Sequence, residues 1–412
     1  MKKIEGLQCI RCGREHKLKE SKYNCVSCGG NLDVVYDYNL VKKRFSLKSL
    51  AANIDYSIWR YMDILPVEDT DSIPPVSVGW TPLYDAPKIA EMAGVHKVYV
   101  KDDGRNPSCS FKDRASAVTV ARAVELEETV ITSASTGNAA ASLACMTATS
   151  NIGTIIFVPK TAPAAKVAQL LVYGSKVVMV DGTYDDAFEL CIKASEEYGW
   201  YNRNTGYNPF TREGKKTCAF EICEQLKWEV PDKLFVSVGD GNIISGLWKG
   251  FSDFKKLGFI DKLPQLVAVQ AEHSNAVTLA FEGDGEIRPV SGQTVADSIS
   301  VSLPRDGMAA VQALRESGGF AVTVTDAEIL SAIPELARSV AVFAEPAGAT
   351  AYAGLKKAAA LGKLSDSDTI AMVITGNGLK DINSAMKSVG KPYMIKPDVA
   401  DLKKLVETEK LA

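Results

Sequence analysis

From Val76 onward, short apolar runs rich in β-branched residues alternate with stretches whose apolar positions recur at helical spacing. HKVYVKDD is followed by FKDRASAVTVARAVEL, TVITSAS by GNAAASLACMTA, TIIFVPK by PAAKVAQLLVYG, and KVVMVDG by TYDDAFELCIKASEEYG. LFVSVGD, QLVAVQA, FAVTVTD and TIAMVITG come later, each with a helical segment behind it. Strands that alternate with helices of about 10 to 15 residues build βαβ units, which predicts an α/β fold with parallel sheets covered by helices on both faces. Residues 37–75 break this rhythm and read as a polar, partly helical connector. No internal repeat and no low-complexity segment interrupts the pattern. Sheets of this kind place ligands in the loops beyond the carboxyl ends of their strands.

Composition narrows what such a chain does. Its 412 residues are 46% hydrophobic with a formal net charge of -3, enough for two or three cores and without a bias to disorder. A near-neutral balance without a Lys/Arg run leaves no electrostatic footprint for nucleic acid or an anionic membrane. The N-terminal MKKIEGLQCIRCG has no apolar signal segment, and no run of about 18 apolar residues occurs. Small-molecule partners and a cytoplasmic location are therefore expected.

Four of the nine cysteines cluster. Cys9 and Cys12 form one C-x-x-C knuckle, and Cys25 and Cys28 form another after 12 intervening residues, each with a glycine behind its second cysteine. Two thiolates from each knuckle fill a tetrahedral shell, so residues 1–36 read as a small zinc ribbon. About 30 residues supply little core of their own; the alternative is a ribbon that keeps its fold after losing its metal. With four thiolates in the shell, His16 is read as a surface residue. The five scattered cysteines fit a reducing compartment.

Three strand ends carry glycine and small polar residues: STGN (Ser135 to Asn138), GDGN (Gly239 to Asn242) and TGNG (Thr375 to Gly378). Such turns let backbone amides approach a ligand, and a helix N-terminus favours an anion. GDGN is the best phosphate cradle of the three. It is neither a Walker loop nor a G-x-G-x-x-G fingerprint, which disfavours a nucleotide. A fourth stretch, RNPSCSFKDRAS, sets Lys112 at the start of a helix. The helix dipole and burial both favour the neutral amine there, and a neutral lysine is a nucleophile toward an aldehyde. An aldehyde cofactor with a phosphate handle is pyridoxal phosphate. A solvated lysine beside Asp113 and Arg114 is the plainer alternative.

RNPSCSFKDRAS resembles the N-P-T-x-S-F-K-D-R segment of the threonine synthases, in the tryptophan-synthase β-like group (fold type II) of pyridoxal-phosphate enzymes. GWTPL at Gly79 to Leu83, SASTGNAA, VGDGNIISGLWKGF, FAEPAGATAYAGL and VITGNGLKD match that family in its order, and the ribbon resembles the N-terminal extension of many members. The resemblance implies two parallel-type sheets flanked by helices. It divides the chain into the ribbon (1–36), a connector with the first part of a large domain (37–114), a small mobile domain (115–205), and the rest of the large domain with a C-terminal tail (206–412). It also implies a homodimer.

Carried over residue by residue, the resemblance makes Lys112 the Schiff-base lysine and proton shuttle. It sets Asn138 on the cofactor's phenolic oxygen and gives the substrate carboxylate to Ser135, Thr136 and neighbouring amides. The cofactor phosphate falls to Gly239, Asp240, Gly241, Asn242 and Ile243, with backbone amides carrying more of the binding because the family often has asparagine where Ile243 stands. Thr375 faces the pyridine nitrogen, and a neutral hydroxyl there suits elimination and replacement better than transamination. The implied reaction converts O-phospho-L-homoserine and water into L-threonine and phosphate.

Departures from the family pattern leave points open. Ser108 stands in place of the usual threonine and Cys109 in place of a small residue; Cys109 is expected to pack against the cofactor loop and not to act as a nucleophile, since His16, His96 and His273 form no Cys-His motif with it. In NTGYNPFTREGKKT the family's arginine aligns with Thr211, and Arg212 follows one position later. The expectation is that Arg212, with Asn204 and Thr205, holds the substrate's phosphate. Otherwise Lys215 or Lys216 serves, the substrate differs, or Arg212 pairs with Glu213 or solvent. The rival activities are a serine or threonine dehydratase and a β-replacement synthase using a phosphorylated amino acid. A non-enzymatic regulator is opposed by the intact Lys112, Asn138 and Thr375.

Overall fold

The computed structural model describes residues 3–20, 23–409 and 411. Strands β1 (Ile4–Cys9), β2 (Glu15–His16) and β3 (Leu32–Tyr36) form an antiparallel sheet with β1 in the middle. Alternation along β3 buries Leu32, Val34 and Tyr36, as the two-residue period of a strand requires. These side chains do not close a core of their own; they join the cluster that holds Phe220, Phe251 and Phe254. The ribbon is thus seated on the main body of the chain.

Ten further strands follow: β4 (Leu83–Asp85), β5 (Lys97–Asp102), β6 (Val130–Ala134), β7 (Gly153–Pro159), β8 (Lys176–Val180), β9 (Tyr201–Asn202), β10 (Lys233–Ser237), β11 (Gln265–Ala271), β12 (Phe320–Val324) and β13 (Thr369–Ile374). They make a six-stranded sheet in the order β12-β11-β10-β13-β5-β4 and a four-stranded sheet in the order β8-β7-β6-β9. Every pair in these two sheets is parallel except β4 with β5. In the larger sheet Phe235 of β10 lies in register with Val267 and Met372, all fully buried. Continuous burial of this kind is why these strands read as unbroken apolar runs. The eight strands expected from the alternation are all present, and the mixed α/β architecture with helix-flanked parallel sheets is the one expected. The edge strand β4 and the two-residue β9 are additional to them.

A buried charge cluster fixes the start of the Lys112–Glu125 helix. Arg114 reaches Asp103 at 2.6 Å and also pairs with Glu221, Lys101 reaches Glu221 at 2.7 Å, and Thr81 donates to Asp103 at 2.7 Å. Charges without solvent persist only when paired this fully. The cluster therefore ties the helix start to the end of β5 and to the GWTPL turn. Among the described residues, no helix is long and apolar enough to cross a membrane.

Candidate active site

Lys112 is the first residue of its helix, and the loop before it is stitched down from two sides. Asp113 accepts from the Ser108 N–H at 2.7 Å and from the Ser108 hydroxyl at 2.5 Å, and Lys380 donates to the Ser108 carbonyl at 2.8 Å. Across the loop, the Phe111 N–H donates to the Thr375 carbonyl at 2.9 Å and the Asn377 N–H donates to the Cys109 carbonyl at 3.1 Å. The TGNG loop thereby becomes the floor under the lysine. Desolvation pushes the Lys112 ammonium below its ordinary range, Arg203 adds repulsion, and Glu345 and Asp240 oppose the shift. The amine needed for nucleophilic and proton-transfer work is favoured by position.

Lys112 opens into a cavity of 530 Å3 between the two sheets, lined also by Ser135, Thr136, Asn138, Asn204, Thr205 and Asp240. An adjoining lobe holds Lys112, Thr205 and the whole Gly239–Ile243 loop. The Asn138–Thr147 helix begins after Gly137 with its first turn at the cavity edge, while the Asn242–Leu257 helix begins after Gly241 in the second lobe. Asn138 donates to Glu345 at 2.8 Å and to Ser298 at 3.2 Å. Asn204 holds the end of β6, accepting from the Ser133 hydroxyl at 2.9 Å and the Ala134 N–H at 2.8 Å. Thr375 is buried under the lysine loop.

Arg212 does not reach this cavity. Its guanidinium takes Asp306 with both oxygens, at 2.6 and 2.8 Å, and Asp33 of the ribbon at 2.9 Å. With its remaining N–H groups on the Leu32 carbonyl and the Ser245 hydroxyl, both at 3.3 Å, the guanidinium has no donor left for a phosphate. The expected role is therefore corrected: Arg212 joins the ribbon to the body of the chain. Lys216 is likewise occupied, by Glu213 at 2.7 Å and Asp253 at 2.8 Å. Lys215 instead faces the lobe of the Gly239–Ile243 loop, donating to Asn242 at 2.5 Å, with burial pushing it well below its ordinary range. The buried guanidinium that lines the larger cavity is Arg203, which the family pattern does not single out. It is fully buried, donates to Ser116 at 3.1 Å and Thr205 at 2.9 Å, and its Nη2 has no partner. Desolvation lowers it to about 10. Its place directly before Asn204 is the one signal of it in the sequence.

Cys109 also differs from expectation. Cys109 is exposed, with φ 63°, at the rim of a 290 Å3 extension of the site that also contains Glu345 and Lys380. Left-handed backbone turns its side chain outward, so it does not pack on the loop. Glu345 lies in FAEPAGATAYAGL, a stretch of which no site role was expected; it is buried beneath Asn138, and burial pushes its carboxyl up to about 7.

The Pyridoxal-phosphate dependent enzyme family matches residues 76–376. The threonine synthase of Methanocaldococcus jannaschii is 40% identical over 403 residues, covering 97% of this chain and 99% of that protein. The chain belongs to the threonine synthases. That of Methanosarcina acetivorans is 38% identical over 405 residues, covering 97% and 98%. Among solved structures, a processed threonine deaminase isoform 2 from Solanum lycopersicum superposes with a TM-score of 0.63 at 23% identity, covering 81% of this chain and 84% of that one, a likeness of fold. Like its family, the chain is a pyridoxal-phosphate-dependent lyase.

The residues present fit pyridoxal phosphate. Ser237 has a buried hydroxyl without a partner at the wall of the Gly239–Ile243 lobe. Gly241 has φ 89°, and a methyl there would meet the Asp306 carbonyl oxygen at 2.8 Å, so the loop depends on glycine to bring its amides round.

The four ribbon sulfurs lie within 4.8 Å of one another, with Cys9 and Cys28 at 3.5 Å and Cys12 and Cys25 at 3.7 Å. A zinc ion bound tetrahedrally to sulfur sets such edges at about 3.8 Å, so the donor set suits one ion. Gly29, at φ 68°, turns the chain behind Cys28. His16 is not on the surface: it is buried, with Nε2 3.2 Å from the Cys25 sulfur. The second knuckle folds back over β2 and covers it.

Proposed function

We propose that the chain converts O-phospho-L-homoserine and water into L-threonine and phosphate. The observation that supports the reading is that Lys112 lines both the lobe of the Gly239–Ile243 loop with Lys215 and the larger cavity with Arg203, Thr205 being common to the two. The first suits the phosphate of the cofactor and the second that of the substrate. A dehydratase acting on serine or threonine has no need of the second.

Pyridoxal phosphate, when bound, withdraws electrons from the substrate's α carbon and makes its proton removable. Ser135, Thr136 and the amides at the start of the Asn138–Thr147 helix hold the substrate carboxylate. Lys112 takes the α proton and then the Cβ proton, phosphate departs from Cγ toward Arg203 and Thr205, a proton is delivered to Cγ to make the methyl group, water adds at Cβ, and a proton is returned to the α carbon. One base serving several carbons needs all of them within hydrogen-bond reach. Asn138 orients the cofactor's phenolic oxygen, and Thr375 offers the pyridine nitrogen a neutral hydroxyl. Residues 115–205 act as a closing domain, which brings Ser135 and Arg203 to the loops of the larger sheet and excludes water. Cys9, Cys12, Cys25 and Cys28 hold one structural zinc. The reading takes the enzyme as a cytoplasmic homodimer, which light scattering checks for assembly.

The test is product analysis with O-phosphohomoserine, O-phosphoserine, serine and threonine offered separately. Threonine and phosphate from the first alone support the reading; faster turnover of an unphosphorylated amino acid overturns it. Arg203→Ala should raise KM for O-phosphohomoserine by about a hundredfold, the scale of a lost charge-assisted contact, while pyridoxal phosphate still binds.

A further inference from the structure

The Cys25–Cys28 knuckle carries contacts to both walls of the site. Three residues beyond Cys28, Asn31 donates to the Arg305 carbonyl at 2.7 Å and to Asp306 at 2.9 Å. Asp306 in turn accepts from Asn242 at 2.7 Å and from Ser245 at 2.8 Å, and its N–H donates to the Asp240 carbonyl at 2.9 Å. Asp306, with Arg305 beside it donating its N–H to the Asp240 carboxylate at 3.2 Å, therefore links the ribbon to the GDGN loop. Two residues before Cys25, Tyr23 accepts from the Asn202 N–H at 2.7 Å and stacks on Tyr207 with ring centroids 4.6 Å apart. Asn202 and Tyr207 bracket the arm of Arg203, Asn204 and Thr205. The larger sheet's loop and the smaller sheet's arm are thus both held by residues that flank one pair of cysteines.

We propose that the knuckle is a positioning clamp, in which Asn31 holds the cofactor-phosphate loop through Asp306 and Tyr23 holds the substrate arm, so that cofactor affinity depends on the ribbon's four-thiolate site being filled. The chemistry argues for this beyond simple packing. Asp306 serves Arg212, Asn242, Ser245 and Asn31 at once, so a donor lost on the ribbon side changes how the carboxylate meets Asn242. Backbone N–H groups in the GDGN loop bind a phosphate only while that loop keeps its turn. The clamp rests on the proposed roles of that loop and arm as the two phosphate sites.

The experiment measures pyridoxal phosphate binding by absorbance on full-length apoenzyme, with hydrogen exchange of residues 199–207 and 239–245 as a second readout. Failure of the parent protein to bind would sink the assignment of the loop itself. With binding in the parent, Asn31→Ala should weaken it about tenfold, the scale of two lost hydrogen bonds, and speed exchange in 239–245; Tyr23→Phe should speed exchange in 199–207. Removing metal from the parent with a chelator should reproduce the loss, zinc chloride should reverse it, and chelation should add little once both substitutions are in one chain. Where Asn31→Ala lowers the thermal midpoint, Asn31→Asp keeps the shape and removes the donor, and should weaken binding further by facing Asp306 with a second carboxylate. Unchanged affinity and exchange in the variants, or a purified protein without metal, would overturn the clamp.

Discussion

A lysine whose ammonium is desolvated and whose loop is tied to Asp113, Lys380 and Thr375 has little freedom left. Lys112→Ala should therefore abolish covalent attachment of pyridoxal phosphate, seen as loss of an absorbance band near about 410 nm, while far-UV circular dichroism is kept. Borohydride reduction and peptide mapping of the parent should place the label on Lys112. Glu345 keeps its proton to about 7, whereas its ordinary value is 4.5; the unfolded chain releases the proton first. Its contribution to stability thus falls as pH rises from 4.5 toward 7 and is level above. Glu345→Gln should flatten that part of the apoenzyme's stability profile in urea titrations. The place of Lys112 at a helix start was legible because its signal is local, a turn followed at once by a helix. Arg212 was not, because its partners lie 179 and 94 positions away, and a motif read along the chain cannot see carboxylates that arrive from elsewhere. Cys109 was misread for a related reason: it is exposed on a left-handed backbone whose carbonyl meets the Asn377 N–H from the far end of the chain, a pairing that no local motif shows.

At the scale of elements, parallel strands buried on both faces announce themselves as apolar runs, which is why eight strands and the helices behind them could be read from the pattern. Strand β4 is three half-exposed or exposed residues, LYD, and exists only because β5 offers it an edge. The loops at strand ends were legible by composition, but their division of labour came from the pairing order, which sets β10 beside β13 and β13 beside β5 and so brings GDGN, TGNG and the lysine loop together. Gly241 tests how much the cradle depends on backbone shape. Gly241→Ala should cost about 1 to 2 kcal/mol from its positive φ, and more from the contact with Asp306; loss of pyridoxal phosphate binding at a modest drop in thermal midpoint is the expected result.

The whole molecule places its site between two sheets bridged at the rim by exposed pairs, Lys166 with Asp297 and Arg305 with Asp185. Such pairs are each worth about 1 kcal/mol or less and weaken with salt, so the two halves are lightly held there. The ribbon, by contrast, is held through two buried cations, Arg212 and Lys249, which share the half-buried Asp33. The shared core of β3 and the Phe220 cluster also bears on how such a chain changes over generations. A deletion of residues 1–36 would take Asp33 from Arg212 and Lys249, leaving them Asp306 and Glu213, and would bare the apolar face that Leu32, Val34 and Tyr36 now cover. Losing the ribbon is therefore not one event but several, since a shortened descendant would have to resurface several positions of that face together. A fragment of residues 37–412 should be insoluble when expressed, and light scattering should show it aggregated under conditions where the full chain is not.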